Sequence, residues 1–227
     1  MLGDWTASGL NNGAFFKTKE FYLAKIIFRM NNNYKTTTFL LSAPDLEYLP
    51  PDIGSEVAFI GSSNVGKSTA INTLTNQKYL AKISKTPGCT KLINIFKISS
   101  ECRLLDFPGY GYAQVNKKLK YIFQKRWNTY LQNRHCLQGV VLFMDLRHPL
   151  RELDKYNLRL VSDHNLPILI LLSKSDKCSR ELQKKKLHIL REYFLQFKNS
   201  VQVEIFSSRK RVGIDKLQLT LNIWLGR

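Results

Sequence analysis

Residues 61–69 constrain the fold of this chain more than any other stretch, because they match the phosphate-binding pattern G-x-x-x-x-G-K-[ST] at every fixed position. Glycines at both ends of the loop let backbone N–H groups approach phosphate oxygens. Lys67 adds a positive charge for the outer phosphates, and the Ser68 hydroxyl is the expected Mg²⁺ ligand. The predicted phosphate-binding residues are Gly61, Ser62, Ser63, Asn64, Val65, Gly66, Lys67 and Ser68.

The sequence on either side of this loop has the setting that the pattern requires. Residues 56–60 form a short apolar run typical of a buried strand, and residues 67–74 have the composition of a helix. A loop between a strand and a helix presents the helix N-terminus to a phosphate. The context therefore favours a nucleotide site over the alternative, a glycine-rich turn that binds no ligand.

Charge is the most unusual part of the composition. The 227 residues include 35 lysines and arginines against 17 acidic residues, a formal net charge of +18. This charge predicts attraction to a polyanion, with RNA the first candidate and an anionic membrane surface the second. The alternative is a basic surface that only keeps the protein soluble. Clusters at residues 117–126, 184–186 and 209–211 are the expected contacts for RNA phosphates.

The cysteines and histidines favour no metal or disulfide site. None of the four cysteines forms a C-x-x-C pair, and the four histidines lack the H-E-x-x-H spacing. Reduced thiols in a cytosolic protein fit this pattern better than disulfides or zinc. No apolar run approaches the ~20 residues of a membrane-spanning helix, so we predict no membrane span.

Apolar runs and helical periodicity alternate along most of the chain. We expect residues 1–29 to be a disordered extension, with Met30 as an alternative start, and residues 30–55 to lead into a domain over 56–227. The predicted strands are near residues 56–60, 92–98, 102–106, 139–144, 166–172 and 201–206. This order favours a three-layer α/β fold, with helices on both faces of a mostly parallel six-stranded sheet. Its ligands should bind at the carboxyl ends of the strands.

A second phosphate-site motif follows the strand that ends at residue 106. It consists of Asp106, Phe107, Pro108 and Gly109. In a protein with a phosphate-binding loop, an aspartate here holds Mg²⁺, and the glycine N–H can meet the γ-phosphate. The alternative is an ordinary Pro-Gly turn, and the position after a strand favours the functional interpretation.

A third motif, Ser173, Lys174, Ser175 and Asp176, predicts guanine specificity. A carboxylate at Asp176 can accept hydrogen bonds from the ring N–H and the amino group of guanine, a pair that adenine lacks. The aliphatic stem of Lys174 would lie along the base. After the last strand, the segment Phe206, Ser207 and Ser208 is expected to offer a backbone N–H to the guanine carbonyl.

The loop between the phosphate-binding loop and the second predicted strand lacks apolar periodicity, which predicts a mobile loop. Its threonine, Thr90, is placed to bind Mg²⁺ when a γ-phosphate is present and to release it afterwards, as in a switch. The predicted GTP contacts here are Gly88, Cys89, Thr90, Lys91 and Leu92.

With these motifs in order, the chain resembles the EngB GTP-binding proteins of the TrmE–Era–EngA–EngB group of GTPases. The resemblance is carried by residues 84–90, 92–94, 106–113, 144–149 and 201–208. It implies the P-loop GTPase fold and a monomeric, bacterial, cytoplasmic GTPase that binds GTP and GDP. It also implies a role in assembling the large ribosomal subunit, through rRNA and ribosomal proteins, and a requirement in normal cell division and septation.

The resemblance also implies residue roles. Lys67, Thr90 and Asn64 would take part in slow GTP hydrolysis, and Ser68 and Thr90 would hold Mg²⁺. Asn64 matches the asparagine that positions K⁺ in related GTPases. K⁺ as a second cofactor is therefore a hypothesis, which hydrolysis by an Asn64→Ala variant in potassium buffer would test.

Two residues depart from the patterns of related GTPases. Ser173 stands where Thr or Asn is usual, and because it keeps a hydroxyl we expect guanine specificity to survive. Tyr110 stands where Ras-like GTPases carry a water-orienting Gln. EngB-like proteins also lack that Gln, so the departure is typical of the family and leaves the catalytic group unnamed. Two other functions stay open: a small-molecule kinase, and a nucleotide-gated rRNA-binding assembly factor with negligible hydrolysis.

Overall fold

Nearly continuous apolar runs build the centre of one β-sheet. The computed structural model describes residues 34–83, 92–111, 117–195, 197 and 201–226. Within these residues the strands are β1 (Thr38–Ala43), β2 (Ser55–Gly61), β3 (Ile93–Lys97), β4 (Cys102–Asp106), β5 (Leu137–Asp145), β6 (Ile168–Ser173) and β7 (Val201–Ile205). They lie in the order β1-β3-β4-β2-β5-β6-β7.

The sheet is mostly parallel, as predicted, but it has seven strands rather than six. Strands β4, β2, β5, β6 and β7 pair in parallel, whereas β1 and β3, and β3 and β4, pair antiparallel. The strand that the sequence analysis missed is β1, which lies at a sheet edge and is largely exposed. Its register shifts between Phe39 and Leu41. A bulge interrupts the two-residue alternation, so β1 has no clear strand pattern.

Helices cover both faces of the sheet, which confirms the three-layer prediction. The described residues form α1 (Lys67–Thr75), α2 (Lys117–Asn133), α3 (Glu152–Asp163), α4 (Arg180–Phe194) and α5 (Ile214–Trp224). Buried side chains of α2, α3 and α4 pack on one face, and those of α1 and α5 on the other. Successive side chains of a strand point to opposite faces of the sheet. In β5, Leu142 therefore packs with the first group of helices and Phe143 with the second.

This arrangement brings the motifs to one edge of the sheet. The phosphate-binding loop follows β2, the aspartate motif ends β4, the base-recognition motif ends β6, and the serine pair follows β7. Parallel strands have their carboxyl ends at the same edge. Within the described residues, no helix has the length and apolar character needed to cross a membrane.

A buried carboxylate lies at the amino-terminal end of the central strand β2, at the opposite end of the strand from the motifs. Glu56, at the start of β2, is fully buried and accepts hydrogen bonds from Arg103 Nε at 2.7 Å and Arg134 Nη2 at 2.6 Å. The Tyr130 hydroxyl donates to its other oxygen at 3.1 Å. Burial raises the pKa of Glu56, but the hydrogen bonds and charges of the two arginines outweigh it and leave the pKa below its ordinary value. The carboxylate therefore favours the folded state only while it is ionised.

We expect Glu56→Gln to lower the free energy of unfolding by about 3–5 kcal/mol, because it leaves two arginines without their buried counter-charge. Denaturant titration near neutral pH measures this change. Since the folded-state pKa is depressed, the contribution of Glu56 is complete above the unfolded pKa of about 4.3 and is lost as the pH falls below it. The variant should show less of this acid destabilisation than wild type.

The control is Glu152→Gln, which changes a carboxylate whose side chain is 90% exposed. Its free energy of unfolding should stay within about 0.5 kcal/mol of wild type. Equal losses for the two variants would contradict the structural role assigned to Glu56.

Candidate functional site

The phosphate-binding loop leaves backbone N–H groups available at the start of a helix. Gly66 is the N-cap of α1 and has φ 109°, a left-handed backbone conformation that residues other than glycine rarely adopt. Glycine has no side chain to cap the first N–H groups of α1, so they remain for an anion. Asn64, earlier in the loop, is also left-handed, with φ 59°.

The end of β4 meets the first turn of α1 through a side-chain hydrogen bond. Ser68 Oγ donates to Asp106 Oδ2 at 2.8 Å, and Lys67 lies buried beside them. The other carboxylate oxygen, Asp106 Oδ1, is buried and has no hydrogen-bond partner among the described residues. Burial raises the pKa of Asp106, against the opposing effects of the Lys67 charge and the Ser68 bond. Burial also lowers the pKa of Lys67.

These groups fit Mg²⁺. The ion prefers oxygen ligands and keeps several waters, so one or two protein oxygens and the phosphates suffice to bind it. Ser68 Oγ and the unpaired Asp106 Oδ1 are such oxygens, at the point where the loop would hold phosphates. The third predicted group, Thr90, lies outside the described residues, together with Gly88, Cys89 and Lys91. Leu92 is described and is 39% exposed.

The aspartate motif is joined to the phosphate-binding loop by backbone contacts. Ser63 N–H donates to the Tyr110 carbonyl at 2.8 Å, and Ser63 Oγ donates to the Gly109 carbonyl at 2.9 Å. A Cβ on Gly109 would lie 2.6 Å from Ser63 Cα, so only glycine fits here. Of the two residues that precede Gly109, Phe107 is buried and Pro108 is half-buried.

An aromatic cluster packs this motif against helix α2. The Phe107 ring packs edge-on against Trp127 and Tyr130 of α2, with ring centroids 4.9 Å apart in both pairs. Trp127 is fully buried. Edge-to-face pairs of this kind add to the stability gained from burial alone. The position of Phe107 is therefore coupled to helix α2.

The Tyr110 side chain is hydrogen-bonded to helix α3. Its hydroxyl donates to Asp154 Oδ1 at 2.6 Å, and Arg151 N–H donates to Asp154 Oδ2 at 3.0 Å. Burial, and then the charge of Asp154, raise the pKa of Tyr110 well above its ordinary value, so the hydroxyl stays protonated and donates. The sequence analysis did not identify Asp154. Asp154 is the third residue of α3, where its carboxylate completes a capping box. This local role accounts for an aspartate at the position but does not indicate that the carboxylate also binds Tyr110.

The base-recognition motif is tied to the phosphate-binding loop by Ser173. Its Oγ lies 2.8 Å from the Val65 carbonyl and 3.1 Å from the Met144 carbonyl. A hydroxyl has a single proton, so these two carbonyls share one donor. The hydroxyl at this position thus joins two loops in the structure, and the neighbouring Ser175 N–H donates to the Phe206 carbonyl at 3.2 Å.

Asp176 is held by the loop after β7. Ser207 Oγ donates to Asp176 Oδ1 at 2.7 Å and accepts from Lys210 N–H at 3.2 Å. The Ser207 N–H itself donates to the Val212 carbonyl at 3.1 Å. Of the two serines proposed to offer a backbone N–H to guanine, Ser208 is therefore the better candidate, because the Ser207 N–H is already used.

Lys174 has a partner that the sequence analysis did not identify. Its Nζ lies 3.2 Å from Asp145 Oδ2, at the end of β5. The signals in the sequence were an aspartate at the end of a buried strand and its place within residues 144–149, which carry part of the family resemblance. Asp145 adjoins the other motif ends because β5 lies between β2 and β6 in the sheet.

Comparisons with known proteins identify the family of this chain. A family described as "50S ribosome-binding GTPase" matches residues 56–174. The "Probable GTP-binding protein EngB" of Hamiltonella defensa is 50% identical over 196 residues, which cover 86% of this chain and 96% of that protein.

Two solved structures share the fold. A crystal structure described as that of "a probable GTP-binding protein engB" has a TM-score of 0.58 at 21% identity, over 76% of this chain and 99% of that one. Era, crystallised with MgGDPNP and nucleotides 1506–1542 of 16S ribosomal RNA, also has a TM-score of 0.58 at 21% identity, over 76% of this chain and 57% of that one.

We expect Tyr110→Phe to lower the free energy of unfolding by about 1–3 kcal/mol, because it removes the donor to a buried carboxylate. GTP hydrolysis should stay near the wild-type rate, because the hydroxyl that is removed bonds to Asp154 and not to the phosphate-binding loop. Denaturant titration and single-turnover hydrolysis measure the two effects. The control is Tyr121→Phe, at a position 66% exposed. A large decrease in hydrolysis with unchanged stability would contradict this assignment.

Proposed function

Because the chain belongs to the EngB family of GTP-binding proteins, we propose that it is a slow, Mg²⁺-dependent GTPase that acts as a switch in assembly of the large ribosomal subunit and is needed for normal cell division and septation. The observation that carries the GTPase part is the Ser68–Asp106 contact beside buried Lys67, with Asp106 Oδ1 unpaired. This set supports a site for the Mg²⁺ salt of a nucleoside triphosphate. The family description, which refers to the 50S ribosome, supports the ribosomal part.

In the proposed reaction, a water oxygen bonds to the γ-phosphorus of GTP, and the bond to the β,γ-bridging oxygen breaks to give GDP and phosphate. Lys67 and the N–H groups at the start of α1 stabilise the charge that develops on the phosphate oxygens. Ser68 and Asp106, with Thr90, would hold Mg²⁺, which would supply further positive charge to these oxygens.

The position of the Tyr110 hydroxyl supports the proposal of a low intrinsic rate. This hydroxyl is bonded to Asp154, so the side chain does not orient the attacking water in the way that Gln does in Ras-like GTPases. The same observation favours a second candidate function, an rRNA-binding assembly factor gated by nucleotide with negligible hydrolysis. Turnover of GTP by the isolated protein, measured over hours, separates the two. Asn64 with K⁺ stays a proposal for the missing catalytic charge.

Guanine specificity is proposed to come from Asp176. Ser207 Oγ donates a hydrogen bond to one carboxylate oxygen, which restricts the rotation of the carboxylate. Guanine could donate two further hydrogen bonds to this carboxylate, whereas adenine offers no such pair. Competition of GTP, GDP, ATP and ADP for bound fluorescent GDP tests the proposal, since equal competition by adenine nucleotides would contradict it.

The basic surface is proposed to bind ribosomal RNA. Residues 209–211 form an exposed turn of three cations, which is closed by the bridge between Ser207 and Val212. Lys184 and Lys185 are exposed on α4. The net charge of +18 adds long-range attraction to phosphates. Era, which matches this chain over 57% of its own length, has been crystallised with ribosomal RNA.

We expect Asp176→Asn to weaken GDP binding and to strengthen binding of xanthosine diphosphate. The amide can donate a hydrogen bond to the carbonyl that xanthine carries in place of the guanine amino group, whereas the carboxylate repels it. The change of preference should reach a factor of about 100 or more, because a mismatched buried polar group is costly. Calorimetric titration with both nucleotides measures it, and an unchanged preference for GDP would contradict the role of Asp176.

We expect the triple substitution Arg209→Gln, Lys210→Gln and Arg211→Gln to weaken binding of large-subunit rRNA. Log affinity decreases with log salt, and the magnitude of this slope should become smaller by about one for each RNA phosphate that the variant no longer neutralises. Filter binding at several salt concentrations, with GTP or GDP bound, measures both quantities.

The control triple removes the same charge from other exposed positions. It consists of Lys35→Gln, Lys97→Gln and Arg159→Gln. If both triples reduce the salt slope equally, RNA binding follows net charge alone and the turn at 209–211 has no special role.

A further inference from the structure

The Lys174–Asp145 pair links the end of β5 to the base-recognition motif. Asp145 is only 7% exposed, and its Oδ2 lies 3.2 Å from Lys174 Nζ. Its two oxygens also accept a bidentate contact from Arg147, with Nε to Oδ1 at 2.9 Å and Nη2 to Oδ2 at 2.6 Å. Burial raises the pKa of Asp145, but the hydrogen bonds from Arg147 and Lys174 outweigh it and hold the pKa well below its ordinary value. Asp145 is thus an ionised carboxylate at neutral pH.

The carboxylate is held in one orientation by its neighbours. Arg147 N–H donates to Asp145 Oδ1 at 3.0 Å, in addition to the guanidinium contacts. Lys186 of α4 donates to the backbone carbonyls of Leu146 at 2.8 Å and Arg147 at 2.7 Å, which fixes the turn after β5. A planar guanidinium that bonds both oxygens restricts the carboxylate rotamer. Asp145 is therefore a rigid acceptor for the Lys174 ammonium.

Lys174 by itself would be a flexible group. Its backbone is left-handed, with φ 58°, at the N-cap of the short 3₁₀ turn Ser175–Lys177, and its side chain is 34% exposed. A lysine side chain has several rotatable bonds, and fixing it costs more conformational entropy than fixing most other side chains. The pair with Asp145 meets this cost before a nucleotide binds.

We infer that Asp145 is a positioning residue for the purine site, which fixes the Lys174 side chain so that its aliphatic stem is already placed along the base. The inference rests on the proposed function, in which the base binds beside Lys174 and Asp176. Asp145 acts only through Lys174 and does not itself contact the nucleotide. It would contribute to affinity for any purine nucleotide, whereas Asp176 would contribute to the choice of guanine.

The test is a double-mutant cycle with Asp145→Asn and Lys174→Ala, in which GDP affinity is measured by calorimetry. We expect Asp145→Asn alone to weaken GDP binding about tenfold, within the range of coupling found for residues in contact. In the Lys174→Ala background the same substitution should change the affinity by less than about twofold. A role confined to holding the loop would instead give equal decreases in both backgrounds.

Three further variants complete the design. Asp145→Glu keeps the charge and should recover most of the affinity. Asp163→Asn, the same change at an exposed position in α3, is the matched control and should bind GDP as wild type does. Arg147→Gln keeps the Lys174 pair and should reduce affinity less than Asp145→Asn does. Suppose instead that Arg147→Gln reduces GDP affinity as much as Asp145→Asn does, both with Lys174 present and in the Lys174→Ala background. That result would mean that Asp145 acts through Arg147 rather than Lys174, and the inference would be wrong.

The outcomes separate the inference from the proposed function. If folded wild-type protein does not bind GDP, the proposed function fails. If wild type binds GDP and Asp145→Asn binds equally or more tightly, only the inference fails. Should Asp145→Asn not fold in thermal melts, Lys174→Met provides the measurement, because it keeps most of the stem and removes the ammonium. It should weaken GDP binding about tenfold, and wild-type affinity would overturn the inference.

Discussion

The hydrogen bond between Ser68 and Asp106 depends on the whole architecture, since it joins the first turn of a helix to the end of a strand that lies beside β2. Parallel pairing of β2 and β4 brings the loop and the carboxylate to the same edge of the sheet. The layers on both faces exclude water from Lys67 and Asp106, so the charges interact in a buried environment. A shift in this pairing register would separate the two groups, which makes the apolar packing of the sheet a condition of the site.

The loops of the site are bonded to one another as well as to their own strands. Ser63 connects the phosphate-binding loop to Gly109 and Tyr110, and Ser173 connects it to the base-recognition motif. Ser207 then connects that motif to the loop after β7. A displacement of one loop therefore changes the hydrogen bonds of the next. Such a chain of contacts is a physical route by which an outer phosphate and a base could affect the same surface.

Local patterns predicted most of the sheet and the positions of the motifs that follow β2, β4, β6 and β7, because apolar runs and the glycine pattern are carried by neighbouring residues. The edge strand β1 was not predicted, because a bulge and exposure remove its alternation. Asp145 and Asp154 were missed for a different reason. Their partners, Lys174 and Tyr110, are far along the chain, and only the completed fold brings them together. The roles of the site residues stay predictions, including Thr90, which lies outside the described residues.

The contact between Phe107 and Trp127 gives the protein an internal optical probe. Indole emission depends on the polarity and packing around the ring, and Trp127 is fully buried, with the Phe107 centroid 4.9 Å away. Phe107 belongs to the segment that carries Asp106 and Gly109. Movement of that segment changes the surroundings of the indole. The emission of Trp127, one of three tryptophans in the chain, therefore carries information about the phosphate side of the site without an attached dye.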